Sequence, residues 1–92
     1  MSNFSDLKTF DLTIYKPNEI YLTSKVKSVT IPSVLGAFQI LINHAPIISN
    51  MEMGLVKIVN DNDVESLFLV VSGIAELHNN QLTLTVSEIN KV

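Results

Sequence analysis

Ninety-two residues with six lysines, no arginine, nine acids and no cysteine carry a formal charge of −3, and this is enough chain for one domain and not for two. The scattered lysines offer no dense basic face for a phosphate backbone, which excludes nucleic acid as a partner class. The lack of cysteine excludes disulfides, thiolate metal sites and thiol nucleophiles, while 47% hydrophobic and 16% charged residues describe a chain composed to pack a core.

In chain order, "MSNFSDLKTF" at 1–10 lacks the basic start and apolar centre of a secretory signal. "FDLTIY" at 10–15 alternates, with Phe10, Leu12 and Ile14 on one face, and Lys16-Pro17-Asn18 then supplies turn chemistry. "SVTIP" at 28–32 places Val29 and Ile31 together. The connection that follows, "PSVLGAF" at 32–38, is apolar where a link between strands is ordinarily polar. Two readings of it stand open: its side chains fold back as a satellite of the core, or they form an exposed tip that docks on a partner.

"GAFQILINHAP" at 36–46 alternates through Phe38 and Ile40 and stops on Asn43, His44 and Pro46. "GLVKIV" at 54–59 points Val56 and Ile58 one way, and Asn60-Asp61-Asn62-Asp63 follows as a turn. "SLFLVVSG" at 66–73 is apolar on both faces, as a central strand would be. Its apolar run is far shorter than the roughly 20 residues that span a bilayer. After the Asn79-Asn80 turn, "LTLTV" at 82–86 sets Leu82, Leu84 and Val86 against Thr83 and Thr85, and "SEINKV" is expected to end in at most a short, frayed element. Strands at intervals of about eight to twelve residues, with no helical period, predict an all-β fold: a single small β-sandwich of short, mostly antiparallel strands. One domain is expected over 1–92, with its core at about 10–89.

No catalytic constellation emerges. Ser72 and His44 could be nominated for a hydrolase, but Ser72-Gly73 lacks the strained G-x-S-x-G elbow. Ser72 then reads as a small residue at a strand end, and Gly73 as a bulge or close backbone approach. His44 and His78 lack ligand spacing, and the acidic turn at 60–63 lacks the glycine and distal glutamate of a calcium loop. The glycines 36, 54 and 73 are isolated and cradle no phosphate. No catalytic, metal or cofactor-binding residue is therefore predicted, nor any small-molecule substrate. His44, held extended before Ala45-Pro46, is read as a fastener of the bend in preference to a catalytic group. A stand-alone module for peptide or carbohydrate is the alternative class, though with no Trp and only Tyr15 and Tyr21 beside four Phe, stacking surfaces are scarce.

"VKSVTIPSVLGAFQILINHAPIISNMEMGLVKI" at 26–58 and "FLVVSGIAELHNNQLTLTVSEI" at 68–89 resemble the N-terminal domain of the epsilon subunit of F-type ATP synthase. Gly36, Ile40, His44-Ala45-Pro46, Gly54 and Ser72-Gly73 match that family's pattern in order and spacing. The chain departs from it at Ala37, where an acid is frequent, at Gln39, at Ile42-Asn43 for Pro-Gly, at Met53 for Pro and at Ile74 for Gly. Asn43 can adopt the left-handed backbone that glycine would supply. The resemblance extends over about 10–89 and includes no pair of C-terminal helices, as in short members of the family.

The resemblance implies a non-catalytic β-sandwich at the foot of the rotor stalk, which joins the gamma subunit to the membrane c-ring and thereby couples ion-driven rotation to ATP synthesis. It implies that Ser33, Val34, Leu35, Gly36, Ala37 and Phe38 meet the c-ring and that Asn43, His44, Ala45 and Pro46 lie on the gamma side. Membrane association would arise only through the complex, at the cytoplasmic face of a bacterial inner or plasma membrane.

Overall fold

A computed structural model describes residues 9–92. The stretch 1–8, which holds most of the segment read as lacking a secretory signal, lies outside the described residues. Nine strands follow one another: β1 (Phe10–Lys16), β2 (Glu19–Ser33), β3 (Gly36–Ile40), β4 (Ile47–Met51), β5 (Gly54–Asn60), β6 (Glu65–Val70), β7 (Gly73–His78), β8 (Gln81–Val86) and β9 (Ile89–Lys91). They pair in the order β1-β8-β7-β4-β2-β5-β6-β9, with β3 on β2 and a further pairing of β1 with β2. All described pairings are antiparallel except β1 with β8.

The alternation read from sequence is the burial pattern found. Phe10, Leu12 and Ile14 of β1, Val29 and Ile31 of β2, Val56 and Ile58 of β5, and Leu82, Leu84 and Val86 of β8 are all buried in one core. Strand β2, 15 residues long, is the exception to the expected short strands. Its first half pairs with β1 and its second half with both β3 and β5, with a register shift between Val26 and Ser28 where it bends. That bend folds the pathway over on itself. Tyr21 on β2 and Phe68 on β6, which share no strand pairing, meet edge to face at 5.9 Å across the interior.

Two strand ends differ from expectation. The strand over 66–73 stops at Val70, and Gly73 opens β7 instead. Gly73 is nonetheless a close backbone approach, because a Cβ there would overlap the Thr85 carbonyl oxygen and lie 3.1 Å from Val86 Cα. At the C-terminus Ile89 is buried, and β9 pairs with β6 through Phe68↔Lys91, Leu69↔Asn90 and Val70↔Ile89. A short apolar-polar alternation in "EIN" is too brief to signal this by itself; the partner strand makes the element.

The turns follow their residues. Asn79 and Asn80 have φ of 49° and 59°, as a type I′ hairpin requires. In the acidic turn, Asn60 Oδ1 accepts the amides of Asn62 (2.8 Å) and Val64 (3.0 Å), and Asp63 takes φ 63°. That side-chain oxygen is spent on the backbone, in the manner of an Asx turn.

Candidate functional site

The apolar connection at 32–38 divides by residue, one part folding back on the core and the other standing exposed. Ser33 and Gly36 are the last paired residues of β2 and β3, so only Val34 and Leu35 form the reversal. The positive φ of the turn falls on Gly36, at +111°, a conformation that glycine adopts without steric cost. Ser33 Oγ donates to the Gly36 carbonyl at 2.7 Å and ties the reversal. Phe38 faces inward and packs against the core. Val34 and Leu35 point away, 73% and 98% exposed. Ala37 is exposed on β3.

This tip is braced from beside it. Ser33 pairs with Met51 of β4, the Glu52 amide donates to the Pro32 carbonyl at 3.1 Å, and a Cβ on Gly54 would stand 2.9 Å from Pro32 Cβ. The β4–β5 turn therefore flanks the hairpin, and its Met53 is 67% exposed. Glu52 is the charged side chain of that turn; no ion pair among the described residues includes it.

His44 lies in a second cluster. The bend after β3 runs through Asn43, with φ 63°, to His44, whose amide donates to the Leu41 carbonyl at 3.3 Å. The His44 ring bonds the Ala45 carbonyl through Nδ1 at 2.7 Å; a carbonyl only accepts, so the proton sits on Nδ1. The ring thus fastens its own bend. The fastening to the rest of the molecule comes from Asn43: its amide donates to Asn80 Oδ1 at 2.7 Å, and Asn80 Nδ2 donates to Asn43 Oδ1 at 3.0 Å. In the sequence, Asn43 is marked by its tolerance of positive φ and, through the family resemblance, as a gamma-side residue. Nothing local reveals a partner 37 residues away. Asn43, His44, Ala45, Pro46, Asn79 and Asn80 line a recess of about 250 Å³.

The two clusters occupy opposite ends of the same strands. Register partners Ser33↔Met51, Met51↔Gly73 and Gly73↔Val86 place the hairpin tip at one end of β7 and β8. The recess at His44 adjoins the Asn79-Asn80 turn at the other end, a strand length of about 20 Å away. Ser72 belongs to the tip end, with its Oγ 3.1 Å from Ser87 Oγ, so the sequence-nominated pair of Ser72 and His44 is not brought together. Tyr15 is the one aromatic among the exposed large apolar side chains of the described residues.

Residues 9–92 match the family described as ATP synthase, Delta/Epsilon chain, beta-sandwich domain. Among curated relatives, the ATP synthase epsilon chain of Chlorobaculum tepidum is 29% identical over 83 residues, covering 90% of this chain and 94% of that one. The chloroplastic epsilon chain of Zygnema circumcarinatum is 32% identical over 83 residues; the match takes in 90% of this chain but only 62% of the relative. A chain in the Euglena gracilis mitochondrial ATP synthase OSCP/F1/c-ring structure superposes with TM-score 0.87 at 16% identity, over 91% of this chain and 54% of that chain. A chain in the Tetrahymena thermophila mitochondrial ATP synthase central stalk/c-ring structure gives 0.76 at 19% identity, over 87% and 64%. At these identities the superpositions speak for the fold, and the sequence match carries the assignment: the chain belongs to the ATP synthase delta/epsilon family, in which it forms the β-sandwich domain.

Proposed function

We propose that this chain is a non-catalytic rotor-stalk subunit of an F-type ATP synthase, joining the gamma subunit to the c-ring so that ion-driven rotation reaches the catalytic sites. The observation that carries the proposal is the placement of two distinct surfaces at opposite ends of one hydrogen-bonded set of strands. The apolar hairpin end, Val34, Leu35 and Ala37, meets the c-ring, while Ser33 and Gly36 shape that tip and Phe38 anchors it. The bend at Asn43, His44, Ala45 and Pro46 lies on the gamma side. A torque applied at one end travels along continuous strands to the other, and a short-looped sandwich yields little to it.

The chain has no chemistry of its own in this reading and reaches the membrane only through the complex. Likeness to the Chlorobaculum chain supports the cytoplasmic face of a bacterial plasma membrane as its location. The test is size-exclusion chromatography with the gamma subunit of the same genome. A stable one-to-one complex is expected; separate elution of two folded proteins would refute the proposal.

A further inference from the structure

Strand β3 is an open edge. It pairs only with β2, in the unbroken register Ser33↔Gly36, Pro32↔Ala37, Ile31↔Phe38, Thr30↔Gln39 and Val29↔Ile40. Pro32 has no amide hydrogen, and its carbonyl accepts from Glu52 on the other side of β2, so Pro32↔Ala37 is a pair without ladder bonds. Such pairs alternate with bonded ones in an antiparallel ladder. The amides and carbonyls of Ala37 and Gln39 therefore turn away from β2, and no hydrogen bond among the described residues takes them up. Natural edges are blunted with lysine, proline, a bulge or extreme shortness, as β9 is by its length of three residues and its Lys91. Strand β3 has no such guard: no charged residue and no proline falls between Ser33 and Asn43, and Ala37, Gln39 and Leu41 are exposed.

This edge is complementary to itself. Leu35 and Leu41 lie equally far along the chain from Phe38, on the side that Ala37 and Gln39 share, and they are 98% and 49% exposed. Two copies paired antiparallel about a two-fold axis at Phe38 set Ala37 against the partner's Gln39, where their free amides and carbonyls exchange about four bonds. The same register brings each Leu35 opposite the partner's Leu41 and covers both. Neither strand carries a charge to repel the other. We infer that free copies of this chain associate as a two-fold dimer through their β3 edges. The pairing covers Leu35, which the proposed ring contact also needs, so it belongs to the free chain and gives way on assembly. Failure of the ring contact would remove that competition and leave the pairing standing.

The experiment is analytical ultracentrifugation of the chain from about 1 μM to about 200 μM, joined to amide hydrogen exchange at both ends of that range. The molar mass is expected to double across the series, and exchange of the Ala37 and Gln39 amides to slow about ten-fold or more at the high end. Gln39→Pro removes an outward amide without taking a bond from β2, and Gln39→Lys brings a lysine to each side of the axis. Each is expected to raise the dimer dissociation constant about ten-fold or more. Gln39 is exposed, so the thermal melt of dilute Gln39→Lys should match that of the parent. A mass that stays that of a single chain throughout, or a dimer that forms equally well with Gln39→Lys, would overturn the edge pairing. Protection of these amides that appears only when the gamma subunit is added would also overturn it, and would give the edge to a strand of that subunit.

Discussion

Gly73→Ala is the substitution to which the fold is most exposed. The residue opens β7 opposite Val86, and a Cβ there overlaps the Thr85 carbonyl oxygen while meeting Met51 Cε at 3.0 Å and Val86 Cα at 3.1 Å. Its φ lies outside the left-handed region, so the cost is one of space. The Met51 methyl can swing away, but the β8 backbone cannot without breaking register. Overpacking of this kind costs about 1–3 kcal/mol. Parting the strands also weakens the Gly73–Val86 pairing and the Ser87 amide to Ser72 carbonyl bond of 3.0 Å beside it, at about 1 kcal/mol each.

The sum, roughly 3–5 kcal/mol, is a large part of the roughly 5–14 kcal/mol typical of a chain this size. At about 4–8 °C per kcal/mol, the melting temperature should fall by at least about 12 °C. Thermal denaturation followed by circular dichroism reads this directly. Gly54→Ala, which meets only the Pro32 ring, should cost less. A shift within about 4 °C for Gly73→Ala, or its rescue by Met51→Ala, would refute the backbone clash as the cause.

Other consequences are equally checkable. Asn43→Ala and Asn80→Ala should each destabilise by about 1–2 kcal/mol, with a coupling near 1 kcal/mol in a double-mutant cycle by urea denaturation; Asn43→Gly should be milder than Asn43→Ala because it keeps the left-handed backbone. Phe38→Asp should unfold the domain while Leu35→Asp leaves the melt unchanged, since Phe38 packs on the core and Leu35 is exposed. Lys25 is held above its ordinary value of 10.5 by its hydrogen bond to Asp11 and then by that carboxylate's charge. A raised folded value means that the stabilisation is complete below 10.5 and fades as pH rises through the folded value, so melts of the parent and Asp11→Asn should converge in that alkaline range. The isolated domain should neither bind nor hydrolyse ATP, and saturable heat on titration with nucleotide in calorimetry would contradict the stalk role.

What the sequence by itself determined was local in origin. Period-two alternation assigns a buried face to each of β1, β5 and β8 without knowledge of any partner, because a strand's side chains alternate by covalent geometry. Turn residues likewise mark Asn18, Asp63, Asn79 and Asn80, which all have positive φ. Tertiary structure decided everything that depended on a distant neighbour. The final "INK" becomes a strand only because β6 offers it an edge, and β2 runs for 15 residues because β1 pairs its first half while β3 and β5 both pair its second. The split of 33–38 into an outward tip and an inward Phe38 follows from pairing register, which fixes the face each residue occupies. His44 was legible as a fastener, but the clasp that holds its bend joins Asn43 to Asn80 across 37 positions. Hydrogen bonds between such distant side chains exist only after the strands have paired, so no spacing along the chain encodes them.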